Sequence, residues 1–215
     1  MKKIAAISCI RNLTLFIGLI LLTQTVLANE NSPKPYSIQQ GVITTSIGII
    51  EIELYLKHAT LSVTNFIRYI EAGAFNNGQF YRVVRLDNDN GSPKIEVIQG
   101  GVNNEFEDYQ AIQLETTKQT CIKHLDGVLS MARVATDTAT SEFFICIGAQ
   151  PSLDFGGLRN PDGQGFAAFG RVTKGMDIVK KIHTFRESLV VNDSYVKGQM
   201  LAEPVAILNI QLPKN

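Results

Sequence analysis

Short runs of β-branched and aromatic residues, each broken off by glycine or by a cluster of turn formers, recur from Gly41 to Leu212. That pattern limits the chain to an architecture built from many short strands. Residues 42–45, a turn at 46–48 and residues 49–55 read as a hairpin. In its second arm Ile50, Ile52 and Leu54 alternate with Glu51, Glu53 and Tyr55. A period of two turns the first set toward a core and predicts that the two acids face water. Further strands are predicted at 79–84, 95–98, 127–132, 142–147, 165–172 and 204–212, with the polar stretch 86–94 as a long hairpin loop. Helical spacing occurs twice. Val63, Phe66, Ile67 and Ile70 form one apolar face from Thr60 to Gly73, a residue placed to end the helix, and Met176, Val179 and Ile182 form a shorter one. A mainly β domain with two helices follows, a closed barrel or a sandwich, which periodicity alone does not separate.

The first 28 residues follow a different logic. Lys2, Lys3 and Arg11 precede the apolar run 13–22, no acid is present, and the segment ends Val26, Leu27, Ala28. A positive start, an apolar centre and a small-residue end are the pattern of a cleaved secretory signal peptide, and the run is short for a retained anchor. Residues 29–37, with Pro33 and Pro35, read as a polar extended leader, and 38–215 as a single domain. The whole chain balances 20 basic against 20 acidic residues, but the signal holds three of the basic ones, so the mature part carries a net charge of −3. An acidic domain without a basic stripe lacks the electrostatic footprint of a nucleic-acid binder. In an exporting compartment Cys121 and Cys146 are free to pair, yet two cysteines make no disulfide framework, and Cys146 in the apolar run 143–147 reads as a small buried hydrophobe.

Motifs for nucleophilic, metal and nucleotide chemistry are missing. No GxSxG, HExxH or Walker loop occurs. Residues 163–168 match GxGxxA but run into a predicted strand, and Ser194 to Lys197 matches SxxK without its companions. His58, His124 and His183 stand singly and read as surface residues. No metal or cofactor is expected.

The runs Phe80-Tyr-Arg-Val-Val84, Ile98-Gln-Gly-Gly101, Gly127-Val-Leu-Ser-Met-Ala-Arg133, Ser141-Glu-Phe-Phe-Ile145, Leu153-Asp154 and Phe169-Gly170 resemble, in order and spacing, the signature of the cyclophilins, the exported bacterial members most of all. The resemblance spans about Gly41 to Leu212. It implies a closed eight-stranded antiparallel barrel capped by two α-helices, and peptidyl-prolyl cis-trans isomerase activity. It further implies that Arg82 is the catalytic arginine, that Gln99 holds the substrate beside Val97, that Ala132 contacts the substrate chain, and that Phe144 and Leu153 wall the proline pocket.

Several positions depart from the family's usual residues: Glu96 for phenylalanine, Val97 for methionine, Arg133 for asparagine, Glu142 for glutamine, Ser152 for tryptophan and Phe166 for histidine. Arg133, Glu142 and Phe166 are therefore expected at the substrate site in altered form. A pairing of Glu142 with Arg82 or Arg133 would either hold the guanidinium in place or draw it away from the proline nitrogen, and the second case is a proline-peptide-binding chaperone module with weak or no isomerase activity. Loss of the indole at Ser152 implies weak binding of the cyclic peptide cyclosporin. The partners expected are proline-containing segments of exported or unfolded proteins, met by a periplasmic or secreted monomer that is not membrane-embedded once the signal is removed. An unrelated ligand-binding barrel is the remaining alternative, with no residue that favours it.

Overall fold

The computed structural model describes residues 38–186 and 188–213; the signal and leader segments predicted above lie outside the described residues. Eight strands pair antiparallel and close on themselves. They are β1 (Ile38–Thr45), β2 (Gly48–Tyr55), β3 (Gly78–Val84), β4 (Val97–Gly101), β5 (Val128–Met131), β6 (Phe143–Cys146), β7 (Ala167–Lys174) and β8 (Met200–Gln211). Around the barrel the order is β1, β2, β7, β5, β6, β4, β3, β8, and β8 returns to β1 through Ile43 opposite Ile210. Closure leaves no strand edge open to further pairing. The barrel is the architecture expected, and the sandwich is excluded.

Helix α1 (Thr60–Glu71) follows the end of β2, whereas α3 (Met176–His183) follows the end of β7, which lies beside the start of β2. The two helices thus sit at opposite ends of the barrel. α1 buries Val63, Phe66 and Tyr69, and the Phe66 ring lies 5.0–5.3 Å from those of Phe75, Phe169 and Phe143. Ring pairs of this kind contribute about 0.5–1.5 kcal/mol each beyond their burial. The free N–H groups at the start of α1 are satisfied from outside: Glu115 accepts from Leu61 N at 3.0 Å and from Ser62 N at 2.7 Å. Gly73, at φ +69°, ends the helix as its position predicts. At the other end Gly175, at φ +90°, turns the chain into α3 where a Cβ would overlap the Ile49 carbonyl, so only glycine fits.

The structure corrects three local expectations. A one-turn helix α2 (Thr117–Thr120) and a 3-10 turn at Pro151–Leu153 join the two predicted helices. Glu53 does not face water: it is 9% exposed and accepts from Arg171 Nε at 2.6 Å and Tyr55 OH at 2.9 Å, because the β7 and β2 side chains flank it. His124 is no surface residue. It is 1% exposed, with Nδ1 2.9 Å from Asp154 Oδ1 and Nε2 3.0 Å from Ser130 Oγ, and burial lowers its pKa. The stretch 86–94 is the long loop expected between β3 and β4, and a buried ion pair between Asp89 and Arg159 fastens it.

Candidate active site

Barrel parity explains why one outer face carries a cleft. Along β6, Phe143 and Ile145 point into the main core while Phe144 and Cys146 point out, where they join Val84, Ile95, Val97 and Leu153 in a second, separate apolar cluster. Only Phe144 of the two phenylalanines faces the cleft, as the resemblance implies. Pairing sets the polar row beside it: Arg82 lies opposite Gln99, and Gln99 opposite Phe144. A bulge sharpens this arrangement. Phe80 faces Gly100 and Arg82 faces Gln99, so Tyr81 is the extra residue, and both Tyr81 and Arg82 reach the cleft side.

All nine site residues expected from the sequence, Arg82, Val97, Gln99, Ala132, Arg133, Glu142, Phe144, Leu153 and Phe166, line one cavity of about 700 Å³. Its floor is apolar. Phe166 meets Phe144 edge-on at 5.4 Å, and behind Phe144 the His124 ring stacks at 6.0 Å. Leu153 is fully buried, and Ala132 is tied to the strand register by its N–H donating to Glu142 O at 2.8 Å.

The Arg82 guanidinium is held on two sides: Nη1 donates to Gln99 Oε1 at 3.0 Å, and Nε and Nη2 donate to Gln199 Oε1 at 2.9 and 2.6 Å. The Tyr195 ring lies 5.3 Å from its carbon. Burial lowers the Arg82 pKa, with the neighbouring tyrosines opposing that shift.

Glu142 pairs with neither arginine, contrary to the expectation. Gln99 Nε2 donates to Tyr81 OH at 2.8 Å, and Tyr81 OH donates to Glu142 Oε2. Together with the Arg82 contact this is a one-way chain of donors from guanidinium to carboxylate, in which each bond polarises the next. Gly101 makes room for it, since a Cβ there would overlap the Glu142 carboxylate. Burial raises the Glu142 pKa above its ordinary value, against the pull of the Tyr81 and Gln99 hydrogen bonds, and burial beside Glu142 raises that of Tyr81. Arg133 is engaged elsewhere: its two terminal nitrogens bind Asp162 at 2.7 and 2.9 Å, and Nε donates to Gly165 O at 2.9 Å. These bonds hold the Asp162 carboxyl well below the usual range.

Of the departures noted in the sequence, Glu96 and Ser152 do not line the cleft. Glu96 lies 3.9 Å from His183 on the α3 side, and the Ser152 carbonyl accepts from Arg159 N at 3.1 Å. Conversely, Tyr81, Tyr195 and Gln199 were not identified from sequence. Tyr195 stands inside the SxxK match set aside as chance, and no pattern marks Gln199.

The cleft sets the fixed Arg82 guanidinium beside an apolar pocket on the outside of a closed antiparallel barrel. Residues 41–211 match the family described as Cyclophilin type peptidyl-prolyl cis-trans isomerase/CLD. A relative from Acinetobacter baylyi named peptidyl-prolyl cis-trans isomerase is 29% identical over 205 residues, 94% of this chain and 96% of its own. Peptidyl-prolyl cis-trans isomerase A of Dickeya dadantii is 34% identical over 143 residues, 66% of this chain and 69% of its own. In fold, the crystal structure of a Cryptosporidium parvum cyclophilin type peptidyl-prolyl cis-trans isomerase agrees with a TM-score of 0.62 at 20% identity, covering 83% of this chain and 99% of that one. The chain belongs to the cyclophilin-type peptidyl-prolyl cis-trans isomerases, enzymes that accelerate rotation about the peptide bond preceding proline.

Proposed function

We propose that Arg82 is the catalytic residue of this isomerase and that the surrounding cleft presents an X-Pro bond to it. The uncatalysed rotation is slow because amide resonance gives the C–N bond double-bond character, with a barrier of about 18–20 kcal/mol. At the twisted transition state that resonance is lost and the proline nitrogen regains a localised lone pair. A donor aimed at this nitrogen binds the twisted state better than either planar one, and such differential binding lowers the barrier. Arg82 suits the task, being permanently charged, rigidly forked and already oriented by Gln99 and Gln199.

Val97, Phe144, Leu153 and Phe166 receive the proline ring. Gln99 and Ala132 hold the substrate chain, and Arg133 and Glu142 shape the end of the cleft around them. The observation that carries this reading is the clamped guanidinium beside the apolar cluster of Val97, Phe144 and Leu153. It is tested by titrating a proline-containing tetrapeptide into the labelled protein: resonances of Arg82, Gln99 and Phe144 shift and exchange between cis and trans peptide accelerates. A peptide that accelerates without touching these residues would refute the assignment. The non-catalytic chaperone alternative rested on Glu142 drawing Arg82 or Arg133 away, and both arginines have other partners.

The substrates proposed are proline-containing segments of exported proteins, whose folding this enzyme assists outside the cytoplasm as a monomer. Support for export comes from the signal pattern of residues 1–28. N-terminal sequencing of the mature protein should begin at Asn29, in the periplasmic or secreted fraction. A chain starting at Met1 in the cytoplasm would overturn this part of the reading.

A further inference from the structure

Behind Arg82 stands a side chain that does not line the cleft. Gln199, in the segment leading into β8, is 1% exposed, and its Oε1 takes the Nε and Nη2 edge of the guanidinium at 2.9 and 2.6 Å. A guanidinium carries five N–H donors in a fixed plane. With two on Gln199 and one on Gln99, the remaining N–H on each terminal nitrogen lies on the side of the cleft that Tyr195 also lines.

The amide of Gln199 is itself locked. Its Nε2 donates to Asn88 O at 2.9 Å, which forces Oε1 toward the arginine. Asn88 in turn donates to Val83 O at 3.1 Å and Gly198 O at 2.9 Å, while the Gln199 carbonyl accepts from Val83 N at 2.8 Å. The loop between β3 and β4, the strand that carries Arg82 and the segment before β8 therefore close around one amide.

We propose that Gln199 is a positioning residue for isomerisation: it fixes the Arg82 fork so that its remaining donors point into the cleft, and it acts on the substrate only through Arg82. The proposal rests on Arg82 being the catalytic residue. An arginine side chain without such a backstop explores many rotamers, and a misplacement of about 1 Å in a catalytic group costs up to about a hundredfold in rate.

The test measures cis/trans exchange of a proline tetrapeptide at saturation, and peptide Kd by titration, for wild type, Gln199→Met, Arg82→Ala and the double variant. Methionine keeps the length of glutamine and removes the oxygen. Gln199→Asn, which draws the amide back by one methylene, carries the same comparison should the methionine variant fail to fold. Expected is a loss of about tenfold or more in kcat with Kd within about twofold, the signature of an interaction made only in the transition state. The double variant should be no slower than Arg82→Ala, since a residue that acts through another contributes nothing once that one is gone.

Wild-type kcat in the Gln199 variant, a weakened Kd at unchanged kcat, or a further loss on top of Arg82→Ala would each overturn the proposal. Wild-type kcat in Arg82→Ala alone would instead remove the arginine assignment on which it rests.

Discussion

Replacing Asp89 by alanine should unfold this protein at a markedly lower temperature, because one carboxylate there accepts four hydrogen bonds from three residues. Its oxygens lie 2.7 and 2.8 Å from the two terminal nitrogens of Arg159, with the side chains 0% and 2% exposed, and they also accept from Gly91 N at 2.9 Å and Ile95 N at 2.8 Å. Breaking a buried pair from one side costs about 3–5 kcal/mol, since the surviving charge stays buried without a counter-charge. The two amides left without acceptors put the cost at the upper end of that range. For a domain of this size each kcal/mol moves Tm by about 2–4 °C, so a cost near 5 kcal/mol gives a fall of about 10–20 °C.

The pH dependence follows with a definite sign. Burial raises the Asp89 pKa, but the Arg159 hydrogen bonds and the two backbone donors outweigh it, so the folded value lies below the ordinary 3.8. The stabilisation is therefore fully present above that ordinary value and is lost as pH falls through the lower folded one. Calorimetric melts of wild type, Asp89→Ala and Asp89→Asn, repeated toward acid pH, read both effects. The variants should melt far below wild type near neutrality and converge on it at strongly acid pH. A Tm within about 2 °C of wild type at neutral pH would show that the pair contributes little and that the reasoning from burial is wrong.

Two other perturbations probe the cleft and its surroundings. Glu142→Gln should raise Tm: the folded pKa of Glu142 lies above its ordinary 4.5, so the folded state holds the proton more tightly and wild-type stability declines as pH climbs from that value through the folded one. The gap between variant and wild type should then widen with pH in thermal melts, and a gap that stays constant would contradict the burial argument. Cyclosporin should bind weakly by calorimetry, because Ser152 brings no aromatic surface to the cleft; tight binding would refute this.

The strands were legible because a half-buried sheet imprints a period of two on the chain, and Ile50, Ile52 and Leu54 carry it plainly. The cleft residues were legible through ordered local runs such as Phe80 to Val84. What local pattern cannot carry is the partner of a polar side chain. Gln199 meets Arg82 from 117 positions away and Asp89 meets Arg159 from 70, and both contacts exist only after the barrel closes. The Glu142 contact was hidden for another reason: a bulge at Tyr81 breaks strict alternation and brings a second side chain to the cleft face. His124 reads as a lone surface histidine until Asp154 and Ser130 arrive on either side of it.

In the proposed mechanism the clamped Arg82 guanidinium lowers the rotational barrier. The direct measurement is kcat/KM for an X-Pro tetrapeptide with wild type and Arg82→Ala, alongside thermal melts of both. Loss of about a hundredfold or more in kcat/KM, with Tm within a few degrees of wild type, is the expected result, the size seen when one transition-state donor is removed. Wild-type turnover by a folded Arg82→Ala protein would contradict it.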